Sequence, residues 1–428
     1  MVVRRAGLLL LSLLFGGAVT AATQSATRLP PKDVPALLKV ASEALDRKDY
    51  SAAVAALKSV VEIEPEMAAA WFNLAYAYSG LHQNEEAVQA YQKTLELQPE
   101  LFEAHLNLGI LQSEAQRFPQ ALEHLEKAVA LRPEHVRARL YLGRALRSRG
   151  EPEAAEKQFQ EALRLDPALA IASYDLGQLH LDRKRYADAL AAFERAAEQD
   201  PQLAQARLGI ALALEGLQRL PEAASHFEQY LASAPDDLET RFHLARVYLQ
   251  QGKSAQALEN LQIVHHADAR MPGVAAALGD VCALLRRFPD SEKYYREALT
   301  IAPRDPDLHR ALGQTLLSQE SFSEAEAEFR ASLRLDPENP AAAQGLAASL
   351  YLQKRYAEAL PLVNNLTQSA DAPVGLLFVL ASCYDHLGDF PRALQAYERF
   401  LQRSQGQSPD QEWQARQRLK VLHRELRK

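Results

Sequence analysis

The stretch Ala68–Leu101, AAAWFNLAYAYSGLHQNEEAVQAYQKTLELQPEL, decides how the rest of the chain is read. Trp71, Leu74, Ala75 and Tyr78 fall at i, i+3, i+4 and i+7, which is one face of a helix. Ala87, Tyr91, Thr94 and Leu95 make a second stripe of the same kind. Pro99 then stops the pattern, because its ring disfavours helical backbone in the residue before it. The segment reads as two short helices and a stop.

The same length of chain returns on both sides. Prolines stand at 65, 99, 133, 167, 201 and 235, each 34 residues apart, and Pro303 and Pro337 continue the series. Ala269 and Asp371 occupy the two places where proline is due. Twelve residues before each place an alanine recurs, as in Ala87, Ala121, Ala189 and Ala325, with Ser291 once. Four residues on comes a large apolar residue, as in Tyr91, Phe159, Phe193 and Phe329. Leu followed by a small residue marks the earlier helix, as in Leu108-Gly109, Leu176-Gly177 and Leu312-Gly313. Pro119, Pro221, Pro289 and Pro391 sit just inside the second helix, where a missing N–H is harmless. Small residues at fixed places mean close helix contacts, which a larger side chain would overpack by roughly 1–3 kcal/mol. One helix pair cannot bury its own stripe, so neighbouring pairs must stack into one long core. The spacing predicts an all-α chain of eleven such units from residue 34 to about 407.

This pattern resembles the tetratricopeptide repeat, whose motif appears as Trp71, Leu74, Ala75, Tyr78, Ala87, Tyr91 and Pro99, with Thr94 where the family prefers alanine. The resemblance implies a right-handed α-solenoid, a superhelix whose first helices line a concave groove for peptides or proteins. Ala269 and Asp371 in place of proline predict local bends at the ends of the units 238–271 and 340–373. Two devices of the family are not supported. The carboxylate clamp needs Lys and Asn where Leu38 and Ser42 stand, and an asparagine ladder matches only at Asn73 and Asn107.

The flanks read differently. Arg4 and Arg5 precede an apolar run from Leu8 to Phe15, and Val19-Thr20-Ala21 offers small residues for cleavage. Residues 1–21 therefore read as a secretory signal peptide, and 22–33 as a flexible lead-in. The apolar core is too short to cross a bilayer of about 30 Å comfortably. At the other end, 408–428 reads as a capping helix with Trp413, Leu419, Leu422 and Leu426 apolar and six basic residues able to reach water.

The net charge of −7 argues against a basic nucleic-acid binder, and two Cys cannot make a disulfide framework or a four-Cys metal site. No dinucleotide fingerprint, H-E-x-x-H or nucleophile elbow occurs. Gly252-Lys253-Ser254 lacks the leading glycine of a phosphate loop and reads as a polar turn, and His265-His266 points two ways. Cys282 and Cys383 read as small buried residues. No catalytic, cofactor or metal site is expected. If the family geometry holds, the groove is lined by Phe72, Tyr76, Leu106, Ile110, Arg137, Leu140, Arg144, Arg147, Tyr174, Phe242, Arg246 and Arg310, with an arginine band in the fourth unit that suits an acidic protein or peptide. The expected role is a non-catalytic, exported scaffold in a bacterial periplasm or outside the cell, serving envelope assembly, secretion or polysaccharide export. The alternative is the substrate-binding or regulatory subunit of an enzyme whose catalytic chain is separate.

Overall fold

Every 34 residues the backbone repeats the same sequence of helix, tight turn, helix. The structure, a computed structural model, describes residues 33–369 and 372–426. The first helices of the eleven repeats are α1 (Val34–Asp46), α3 (Ala68–Gly80), α5 (Phe102–Glu114), α7 (Val136–Arg149), α9 (Ala170–Asp182), α11 (Ala204–Gly216), α13 (Leu238–Gln250), α15 (Val274–Leu284), α17 (Pro306–Ser318), α19 (Pro340–Leu352) and α21 (Val374–His386). The second helices are α2 (Tyr50–Ile63), α4 (Asn84–Leu97), α6 (Phe118–Leu131), α8 (Pro152–Leu165), α10 (Tyr186–Gln199), α12 (Leu220–Ser233), α14 (Ser254–Ala267), α16 (Phe288–Ile301), α18 (Phe322–Leu335), α20 (Tyr356–Leu366) and α22 (Phe390–Ser404). A last helix, α23 (Pro409–Glu425), follows. No strand occurs among the described residues. The expected signal peptide and lead-in up to residue 32, Asp371, and Arg427 and Lys428 of the cap lie outside the described residues.

The turn inside each repeat is one device used again and again. Lys48 has a φ of +59°, and its N–H donates to the Leu45 carbonyl while that of Asp49 donates to Ala44. That is a Schellman end, which satisfies the orphan carbonyls of the first helix. The left-handed residue recurs with the period, at His82, Gln116, Gly150, Lys184, Gln218, Gly252, Arg286, Glu320, Lys354 and Gly388. Gly252 thus belongs to an ordinary turn, and Lys253-Ser254 simply opens α14.

The leucine–small pairs have an equally direct cause. A Cβ added to Gly177 would lie 2.7 Å from the Phe193 ring, and one on Gly209 in the next repeat would lie 2.6 Å from the same ring. Phe329 is held in this way between Gly313 and Gly345, and Phe159 lies against Gly143. Phe159, Phe193 and Phe329 are fully buried. One large side chain therefore joins the first helix of its own repeat to that of the next, and the core runs from pair to pair without a break between Val34 and Leu111.

A second lock joins the repeats. The residue six places after the period's proline donates to that proline's carbonyl: Trp71 to Pro65 at 2.8 Å, Arg207 to Pro201 at 2.6 Å and Arg241 to Pro235 at 2.8 Å. His105, Arg139 and His309 contact Pro99, Pro133 and Pro303 in the same way.

The chain forms two compact bodies, divided after Gln218. In each, consecutive helices pack in order, and first helices of adjacent repeats also touch. Where Ala269 replaces proline, α14 keeps its full 14 residues; α15 instead starts late, behind Gly273 at a φ of +81°, and has 11. In the unit 340–373, α20 itself is shortened to 11 residues. At the C-terminus α23 buries Ala415 and Leu422, and its Glu412 accepts from the Ser404 hydroxyl at 2.6 Å and from the Gly406 N–H. Trp413 turns outward and is 64% exposed, so it does not join the apolar side of the cap.

Candidate binding groove

All twelve residues the sequence singled out belong to first helices, and nine of them keep part of their surface in reach of solvent. In the first body Tyr76 packs edge-on against Tyr50 at 6.2 Å and stays partly exposed, as does Ile110. Tyr174 tilts against Phe193 at 5.7 Å, and its hydroxyl accepts from the Gln178 amide at 3.1 Å. Phe72, Leu106 and Leu140 are corrections to the sequence reading. They are 2%, 3% and 5% exposed and belong to the core. Phe72 packs against the second helix of its own repeat, its ring 5.6 Å from that of Tyr91.

The arginine band is also corrected. Arg144 donates to Asp175 at 2.5 Å and Arg147 to Asp182 at 2.7 Å, each carboxylate coming from the next repeat. Arg137 and Arg144 lie over the Tyr141 ring at 5.9 and 5.5 Å. Two of the band's three arginines are therefore ion-paired, and Arg137 is laid over an aromatic ring. Burial pushes the Asp175 carboxyl above its ordinary value, against the pull of Arg144. Asp175 and Asp182 were missed as partners because they stand 31 and 35 residues from their arginines, a separation that means contact only once the stacking is known.

In the second body Phe242 is partly buried beside Gly273, Arg246 is exposed, and Arg310 reaches Asp307 at 3.3 Å. Two recesses open in this body. One, of about 460 Å³, is bordered by Asp280, Leu284, Gln314 and Ser318. There Tyr295 donates to Asp280 at 2.6 Å, and burial raises the Asp280 carboxyl. Leu284 is 66% exposed at its rim. The other, of about 620 Å³, lies between Tyr351, Phe378, Tyr397 and the cap residues Trp413 and Arg418. Arg418 donates from Nε and Nη2 to the two carboxylate oxygens of Asp385, at 2.5 and 2.8 Å. Apolar walls with a few fixed polar groups suit a side chain or short peptide segment.

Among the described residues no three His, Cys, Asp or Glu side chains stand close enough to hold a metal. Cys282 and Cys383 are buried and unpaired, and burial pushes the Cys383 thiol up to about 12, far from a reactive thiolate. His265 is bound to Glu297 at 2.7 Å. No described helix is long and apolar enough to cross a membrane.

Sequence profiles of the tetratricopeptide repeat match residues 66–134, 106–170, 174–237, 242–306, 310–373 and 376–410. Since these cover well over half of its length, the chain belongs to the tetratricopeptide repeat family. No curated protein matches the sequence. Among solved structures, PilF of Pseudomonas aeruginosa is 23% identical, with a TM-score of 0.43, 50% of this chain and 97% of that chain covered. MamA of Desulfovibrio magneticus is 24% identical, with a TM-score of 0.39 and coverages of 40% and 96%. YrrB, described as having an unusual peptide-binding site, is 22% identical, with a TM-score of 0.38 and coverages of 46% and 97%.

Proposed function

We propose that this chain is an exported, non-catalytic scaffold that holds proteins or peptides on its first-helix face, in envelope assembly, secretion or polysaccharide export. One observation carries the binding role. Aromatic and arginine side chains are held part-exposed on that face by their neighbours, beside recesses large enough for a side chain. Such residues anchor interfaces because they bury much area at little entropic cost. Membership of a repeat family that works through stacked helix surfaces supports the same reading. The order of charged, apolar and small residues before Ala22 supports export.

Two experiments test this. Partners captured by the chain are compared with those captured by an Arg137→Glu, Arg147→Glu variant and by a Phe378→Ala, Trp413→Ala variant. Loss of a direct partner in either, with melting unchanged, is the expected result. Identical capture by all three, or turnover of a metabolite by the purified chain alone, defeats the reading. For export, the N-terminus of the protein from a cell-envelope fraction is expected at Ala22, and a cytoplasmic chain that retains Met1 removes that half.

A further inference from the structure

The proline lock described above is made by a pair of positions, the residue six after the proline and the one nineteen further on. His105 faces His124 at 3.1 Å, Arg139 meets Gln158 at 3.0 Å, Arg241 meets Asn260 at 3.3 Å and His309 meets Glu328 at 2.6 Å. In ten of the eleven repeats at least one member of the pair is large. The fifth repeat has Ser173 and Ala192. A serine is too short to reach the Pro167 carbonyl, which is met instead by Arg195 at 3.2 Å and Gln199 at 2.5 Å.

A cavity of about 390 Å³ lies at this place, bordered by Ser173, Leu163, Leu176, Ala192 and Asp188. It is not simply an apolar void. Ser173, one of the lining residues, is 1% exposed, and its buried Oγ has no hydrogen-bond partner. Gln199, which shares the Pro167 carbonyl, has its buried Oε1 unpartnered as well. Of the two only Ser173 lines the cavity, and its unsatisfied buried hydroxyl is a standing cost that a donor-rich group would relieve. The charged lining comprises Glu156 and Asp188 against Arg195. Glu156 is already held by Arg185 at 2.6 Å, whereas Asp188 stands 3.9 Å from it with its side chain 58% exposed. His180 turns Nδ1 toward Arg185 at 2.5 Å and so accepts there as a neutral ring. A cation with several N–H groups in one plane fits this arrangement.

From these observations we propose that the cavity of the fifth repeat takes the arginine side chain of a partner protein. The guanidinium would occupy the space that an arginine of the chain itself fills in the fourth, sixth and seventh repeats. The lining residues are not at the first-helix positions that face the groove, so this site stands or falls apart from the proposed function.

The test uses the full chain with leucine and valine methyl labels, titrated with N-acetyl-arginine amide and, separately, with N-acetyl-lysine amide. Saturable shifts of the Leu163 and Leu176 methyl signals are expected at millimolar arginine amide, since a single side chain offers limited contact. The lysine amide is expected to bind roughly tenfold more weakly, for want of the planar fork. Ser173→Arg and, independently, Ser173→Trp should fill the space from within, raise the melting temperature and abolish the shifts. Absence of saturable shifts in the natural chain, equal response to the lysine amide, or shifts that persist in a folded Ser173 variant each overturns the proposal.

Discussion

Eight side chains sit where glycine would be easier. Of the eleven turn residues with left-handed backbone inside the repeats, only Gly150, Gly252 and Gly388 are glycine. A side chain there is disfavoured by about 1–2 kcal/mol, while glycine loses about 0.5–1 kcal/mol through the freedom of the unfolded chain. The first term wins, so His82→Gly should stabilise by roughly 0.5–1 kcal/mol. A lower urea midpoint in that variant would contradict the turn geometry. The opposite change has the opposite sign at the glycines that face aromatics. Gly345→Ala drives a methyl into the Phe329 ring. It should destabilise by roughly 1–3 kcal/mol, and Phe329→Leu in the same chain should recover part of that loss. Additive losses in the double variant would show that the two do not meet. At this scale the sequence was readable where one residue type recurs, as with the prolines and alanines. The counter-charges Asp175 and Asp182 were not, because nothing periodic marks them. Phe72, Leu106 and Leu140 were misplaced because a helical stripe does not say how far the helices packed on it cover its edge.

At the scale of the element, polar links between repeats supplement the apolar core. Glu326 on α18 is 5% exposed and accepts from the Gln353 amide at 2.8 Å and the Arg355 guanidinium at 2.6 Å, both just beyond α19. Burial alone would raise its carboxyl, but these two hydrogen bonds, with the charges of Arg330 and Arg355, hold it below the ordinary range. A carboxyl that is more acidic in the fold stabilises it above the unfolded-chain value, and that contribution is lost as pH falls through the lowered one. Glu326→Gln should therefore destabilise the second body by about 1–3 kcal/mol at neutral pH. It should also make the body's urea midpoint less sensitive to acid. An unchanged acid slope would mean the carboxylate is not charged in the fold. The helices themselves were legible because stripe, stop and turn all recur in register. The two irregular ones were only half legible. A missing proline announced a disturbance at both places, but in one it shortened the following helix, where Gly273 and not residue 269 sets the start. The recesses beside Leu284 and Trp413 were illegible, since each needs side chains from separate repeats or from the cap.

For the whole chain, the prediction concerns its two bodies. Deleting residues 409–428 removes α23 and uncovers Phe400, which is fully buried, together with Ser404. Each large side chain so exposed forfeits about 1.5–3 kcal/mol. In a stack held by nearest neighbours the loss should fade with distance from the cut. Hydrogen exchange should thus quicken most in α21 and α22 and leave the amides of residues 33–218 unchanged. A uniform loss of protection would mean the chain melts as a single block. The glycine-gripped aromatics have a consequence for inheritance as well. Since Phe193 and Phe329 each take one wall from the following repeat, an excision or duplication of 34 residues can close on an equivalent wall, whereas any other length leaves a ring facing the wrong side of a helix. Genes of this kind should grow and shrink in whole periods, and the seams that survive should be those that bring a small residue opposite the ring.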